Sequence, residues 1–171
     1  GVTTPTGTVQ FFDGSTKIGG AVALISGAAS ITTSALAVSD SRTVRVEYSG
    51  DGKYLPGEPA SDTVVITPAL TDLDLSTSKS PATATTPVTL TATVHVTSAG
   101  ATAPPSGTVT FREGSDSLGA ASVDAAGVAS ITISTLPVGT HHLTAIFSGP
   151  NYGNSSDTLD QDIVVDGVST N

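Results

Sequence analysis

This sequence predicts an all-β chain made of two tandem sandwich modules, and three observations carry that prediction. First, Ser106-Gly-Thr-Val-Thr-Phe-Arg-Glu-Gly114 has a near copy at Thr6-Gly-Thr-Val-Gln-Phe-Phe-Asp-Gly14, 100 positions earlier. Second, Val88, Leu90, Ala92, Val94 and Val96 alternate with Thr89, Thr91, Thr93, His95 and Thr97, the period-two signature of a strand with one buried face. Third, Thr, Ser, Ala, Val and Gly dominate while aromatic residues reach only 4%. β-Branched residues favour strands, small ones suit a thin core between two sheets, and no helical stripe of useful length interrupts the pattern.

The repeat sets the domain count. In both copies a Gly opens the segment, Val and Phe alternate with polar residues, and an acidic residue followed by Gly closes it. The structural motif is thus Gly7, Val9, Phe11 and Gly14 in one copy and Gly107, Val109, Phe111 and Gly114 in the other. The correspondence continues through Ile18-Gly19 with Leu118-Gly119, and through residues 27–32 with 127–132. Leu36 and Val38 then match Leu136 and Val138. Small slips follow in Gly-, Asp- and Pro-rich stretches. Val44, Val46 and Tyr48 align with Leu143, Ala145 and Phe147, Tyr54 aligns with Tyr152, and Ser61-Asp62-Thr63 aligns with Ser156-Asp157-Thr158. Length changes confined to turn-rich stretches are those a surface loop tolerates.

The second module, residues 69–167, reads as complete. Leu73 and Leu75 alternate with Asp72 and Asp74 as a first edge strand, and the Val88 run follows. The repeated motif buries Val109 and Phe111. Residues 117–123 and 129–133 flank a turn at 124–127, the next strand buries Leu143, Ala145 and Phe147, and residues 158–165 form the last. Seven short strands separated by regular turn signals describe an immunoglobulin-like Greek-key β-sandwich. The first module, residues 1–68, has counterparts of the last five strands only, and nothing like residues 69–106, which carry the first two. An incomplete sandwich leaves open edges and half a core. The expectation is a segment of a longer polypeptide whose upstream strands are missing, or else strands donated by another chain. Between the modules stands only Thr67-Pro68-Ala69, and a short Pro-containing linker predicts limited swing between end-to-end modules.

Charge and composition exclude several functions. Six Lys and Arg against fifteen Asp and Glu give a net charge of −9, which leaves no basic face for nucleic acid or an anionic membrane. There is no Cys, hence no disulfide or thiolate metal site. No apolar run reaches the roughly 20 residues of a membrane-spanning helix.

With these residues in view, the chain resembles the bacterial Ig-like domains of the Big_3 type. The pattern is Pro-x-Gly-Thr-Val-x-Phe-x-x-Gly at Pro5–Gly14 and Pro105–Gly114, then Gly-x-Ala-Ser-Ile-Thr. An aromatic-Ser-Gly and a Tyr follow, at Tyr48-Ser-Gly50 with Tyr54 and at Phe147-Ser-Gly149 with Tyr152. The resemblance covers essentially the whole chain. It implies tandem arrays in large secreted or surface-attached bacterial proteins, acting as spacers, stalks or filaments, and no catalytic residues. Neighbouring Ig-like domains of the same or an adjacent chain are the implied partners. Two alternatives stay open: an adhesin repeat holding a protein or glycan, and a strand-donating subunit of an extracellular polymer.

No enzymatic constellation stands out, and no cofactor is expected. His141 and His142 are adjacent, so on a strand they face opposite ways, and with His95 they read as surface or strand-end residues. Calcium is the best small-ligand candidate, at Asp72 and Asp74 beside the linker and Asp160 and Asp162 near the module's exit. Their i, i+2 spacing equally describes a solvated strand face. Lys17, Lys53 and Lys79 read as turn or edge residues, unsuited to isopeptide stapling, and Asn154-Ser-Ser156 has the form of a glycosylation sequon in an exposed loop.

Overall fold

Alternation and turn chemistry set out the first strands as the sequence predicts. In the computed structural model, which describes residues 3–101, 103–134, 136–160 and 162–167, β1 (Thr8–Asp13) turns back into β2 (Thr16–Ala23) through a two-residue loop. Gly14 opens that loop at φ +56°, a left-handed conformation that a side chain disfavours. β3 (Ser39–Tyr48) and β4 (Ala60–Ile66) complete one antiparallel sheet in the order β2-β1-β3-β4. These four strands lie in the first of two compact units, Gly1–Thr67 and Pro68–Asn171.

The second unit holds β5 (Thr71–Thr77), β6 (Ala82–Thr83), β7 (Val88–Val96), β8 (Thr108–Glu113) and β9 (Asp116–Ser122). Beyond them come β10 (Val128–Ile133), β11 (Gly139–His141), β12 (Leu143–Gly149), β13 (Tyr152–Thr158) and β14 (Ile163–Asp166). A four-stranded sheet, β13-β12-β8-β9, repeats the order of the first unit's sheet. Two three-stranded sheets, β10-β7-β5 and β11-β14-β6, complete the fold, with β14 running parallel to β6.

Inward residues of these sheets form one core. β7 contributes Val88, Leu90, Ala92 and Val94; Val109, Phe111, Leu143, Ala145 and Phe147 meet them from β8 and β12, and Ile163 and Val165 from β14. Each large aliphatic or aromatic side chain fully buried there stabilises the unit by roughly 1.5–3 kcal/mol. Phe147 also lies edge-tilted against Tyr152, ring centroids 6.2 Å apart.

Three expectations need correction. The run 158–165 is not one strand: β13 ends at Thr158 in the four-stranded sheet, and β14 starts at Ile163 in another sheet. With the short β6 and β11, the described residues of the second unit therefore form ten strand segments rather than seven. The described residues of the first unit form four strands rather than five, because those matching β10 form no strand and make only an isolated bridge, Ile25 with Ala28. In the second unit β10 ladders onto β7 alone, and a counterpart of β7 is absent from the described residues of the first unit. A strand needs a neighbour for its N–H and C=O groups, so the same sequence stays irregular there.

Candidate interaction face and its polar surroundings

One sheet occurs twice in this chain, in two surroundings. In the first unit Val9 pairs with Tyr48, Phe11 with Val46 and Asp13 with Val44; in the second Val109 pairs with Phe147, Phe111 with Ala145 and Glu113 with Leu143. Val109, Phe111, Leu143, Ala145 and Phe147 are fully buried. Their counterparts Val9, Phe11, Val44, Val46 and Tyr48 are only half-buried. Along β3 and β4 an open groove of ≈ 360 Å³ is lined by Leu36, Val44, Val46, Asp62, Val64 and Ile66, among others. Leu136, Leu143 and Ala145 hold the matching places of Leu36, Val44 and Val46, and all three belong to the second unit's core. The groove is therefore the surface that becomes core in the second unit, without a facing sheet among the described residues. Phe12, on the other face of β1, is buried, the one such apolar residue among the described residues of the first unit, and the Arg45 guanidinium stands 4.3 Å above its ring.

In the second unit Asp157 accepts the Thr158 N–H at Oδ1 (2.8 Å), and its Oδ2 accepts the Leu75 N–H of β5 (2.8 Å), which fastens the facing sheet. Asp62 likewise accepts the Thr63 N–H at Oδ1 (2.8 Å), but the Ser-Asp-Thr match in sequence is not kept in register: Asp62 stands opposite Val44, whereas Asp157 stands opposite Ala145, the counterpart of Val46.

At the end of the sheet where the repeated motif enters its hairpin loop, the units differ in charge chemistry. Arg42 pairs with Asp13 in the first unit; His141 and Glu113 hold the matching positions in the second. His141 is 6% exposed. Its Nδ1 lies 2.8 Å from Glu113 Oε1 and its Nε2 2.9 Å from the Pro137 carbonyl, both acceptors, so the ring that satisfies them donates from both nitrogens as imidazolium. Burial pulls the His141 pKa down, but the hydrogen bonds to Pro137 and Glu113, with the charge of Glu113, outweigh it and raise the value. The expectation of surface or strand-end histidines misses this burial, although His141 does end β11. His142 is exposed and pairs with Asp162, and His95 is exposed beside Asp74.

The tyrosines singled out in the sequence fasten loops. Tyr152 donates its hydroxyl to the Pro104 carbonyl (2.8 Å), and Tyr54 donates to that of Thr3, each on the approach to the repeated motif. In the first unit Asp51 strengthens this closure. It accepts the Thr6 N–H (2.7 Å) and hydroxyl (3.0 Å) at Oδ2, and the N–H groups of Lys53 and Tyr54 (2.8 Å each) at Oδ1. The backbone donor at Thr6 and those at Lys53 and Tyr54 hold its carboxyl far below the usual range. Gly7 and Gly107 sit where a Cβ would lie 2.4 Å from the Gly50 carbonyl oxygen and 2.3 Å from that of Ser148. Gly114, at φ +56°, repeats the hairpin loop of Gly14.

The calcium candidates are dispersed over separate partners. Asp72 accepts the Leu73 N–H, Asp74 faces His95, Asp162 faces His142, and Asp160 is exposed in the bend after β13. No group of three or more His, Cys, Asp or Glu is arranged to hold a metal among the described residues. Lys17, Lys53 and Lys79 are exposed, and Asn154 is exposed on β13 rather than in a loop. No helix among the described residues is long and apolar enough to cross a membrane.

Comparison with solved structures finds the amphioxus IgVJ-C2 molecule, at 13% identity and TM-score 0.48, covering 96% of this chain and 91% of that one. No curated protein matches. The family model of the bacterial Ig-like domain (group 3) matches residues 1–67 and again 75–165. A match over both copies of the repeat, on an all-β fold, makes this chain a member of the bacterial Ig-like domain (group 3) family.

Proposed function

We propose that the chain is a structural repeat segment, a spacer or stalk element of an extracellular bacterial surface protein, without catalytic activity. The observation that carries this reading is the use made of Tyr54 and Tyr152. These are the loop aromatics available for stacking on a glycan, yet each spends its hydroxyl on a backbone carbonyl leading into the repeated motif. The chain thus invests its few aromatic side chains in holding its own loops, which favours the spacer over the glycan-binding adhesin. Location is tested by protease shaving of intact bacteria that express the parent polypeptide. Peptides of this chain are expected in the released fraction, and their appearance only after lysis would overturn the surface assignment. Tyr152→Phe tests the role: it is expected to lower the stability of the second unit by about 1 kcal/mol, one intramolecular hydrogen bond. A glycan-array signal from the full chain that vanished in this variant would favour the adhesin.

A further inference from the structure

We infer that His141 is a proton-operated latch for the small sheet β11-β14-β6, closed while its ring is imidazolium and released when the ring is neutral. The ring sits where two sheets meet. Its own strand β11 ladders onto β14, whereas the Glu113 carboxylate that it reaches ends β8 of the four-stranded sheet. His141 is 6% exposed and stands between two acceptors, Nδ1 2.8 Å from Glu113 Oε1 and Nε2 2.9 Å from the Pro137 carbonyl. An imidazolium serves both. A neutral imidazole carries one N–H, so it keeps one bond and turns a lone pair toward the other acceptor. The bond to a carboxylate is the stronger, so Nδ1 retains its proton and the Pro137 carbonyl is the group let go.

That carbonyl belongs to the loop between the core residue Leu136 and β11. β11 has three residues, all laddered onto β14, and β14 is held on its other side by the two-residue β6. Ladders this short can open apart from the core formed by β7, β8 and β12. Among the described residues, Glu113 is the charged group that faces the ring. On the neighbouring elements, Asp116 of β9 stands opposite Glu113 in the ladder, and Arg112 donates to the Ser115 carbonyl. Asp162, just before β14, pairs with the exposed His142. The raised His141 pKa agrees with this geometry: the latch is closed below about pH 6.5 and releases as pH rises through the folded value. The first unit holds a fixed version, since Arg42 and Asp13 take the matching places and a guanidinium keeps its charge.

The test follows the full chain by NMR from pH 6 to pH 9. Ring nitrogen shifts of His141 report its protonation, and amide exchange, corrected for the chemical rate at each pH, reports protection. At pH 6 both ring nitrogens should be protonated. Protection at Gly139–His141 and Ile163–Asp166 should lie below that of Val88–Val96 throughout. It should fall roughly tenfold as the ring titrates, the size of one hydrogen bond from a charged group. His141→Arg, which installs the first unit's cation, should hold protection constant across the range. Should that variant fail to fold, His141→Gln should keep protection at its low alkaline level at every pH. His142→Gln should leave the fall in place. Neutral His141 at pH 6, or protection of β11 and β14 equal to that of Val88–Val96 at every pH, would overturn the inference. So would a fall that persists in His141→Gln or disappears in His142→Gln.

Discussion

Phe11 and Phe111 occupy the same position of the same strand in two copies of one sheet, yet Phe111 is fully buried and Phe11 is not. Phe11 lies between Ile18 and Val46, and Phe111 between the smaller Gly119 and Ala145, so the fuller burial of Phe111 comes from the layer above and not from its neighbours in the sheet. In the second unit β7 and β5 supply that layer, and the shared motif becomes half of a packed core. In the first unit the motif builds the sheet and its hairpin but meets no second layer among the described residues. The comparison separates two levels that a single sandwich merges. Strand pairing and turn geometry are encoded within the motif, whereas burial belongs to the partner sheet.

Core truncation probes that difference with the largest effect. Phe111→Ala should cost about 3–5 kcal/mol, a full aromatic transfer plus a cavity. Phe11→Ala should cost less, about 1–2 kcal/mol, since the ring is only half-buried. Urea unfolding of both variants of the full chain measures the gap, and equal costs would mean that the two faces are equally covered.

A second contrast concerns pH. The Arg42–Asp13 pair keeps its cation at all ordinary pH values, whereas His141 against Glu113 titrates. The folded-state pKa of His141 is raised above 6.5. Its contribution is therefore full below about pH 6.5 and is lost as pH rises through the folded value. The thermal midpoint of the second unit should fall from pH 6 toward pH 9, and His141→Gln should flatten that slope. A slope that survives unchanged in the variant would show that His141 does not carry the effect.

The smallest expected effect lies at the loop end. Asp51→Asn keeps the shape of the side chain but removes the charge that accepts four hydrogen bonds around Thr6, Lys53 and Tyr54. The first unit should lose stability above the usual carboxylate range, and the difference from the parent chain should shrink under strongly acidic conditions as the carboxylate is protonated. Parallel unfolding curves for variant and parent near neutral pH would show that the clamp is not used.

Features carried by local pattern were legible in the sequence. The alternation at Val88–Val96 marks β7, the Asp-Gly and Glu-Gly turns mark the two hairpins, and the 100-residue offset marks the two units. What escaped depends on distant partners. Residues 27–32 and 127–132 are nearly identical, so no local pattern could tell the strand from the irregular segment; the presence of β7 does. The stretch from Thr158 to Val165 looks continuous because Leu159, Ile163 and Val165 are all buried, but they serve different sheets across a bend. His141 reads in the sequence as a surface or strand-end residue because its carboxylate partner lies 28 residues earlier. The shared Ser-Asp-Thr likewise hides its register: Asp62 stands opposite Val44 and Asp157 opposite Ala145, two places apart on the ladder.

Hydrogen exchange of the full chain tests most directly the claim that identical sequence takes its structure from the facing layer. Amides of Val128–Ile133 should be protected to nearly the same degree as those of Val88–Val96, with which they ladder. Those of residues 29–33, beyond the Ile25–Ala28 bridge, should exchange close to the rate of an unstructured peptide. Comparable protection at 29–33 and 129–133 would contradict the account.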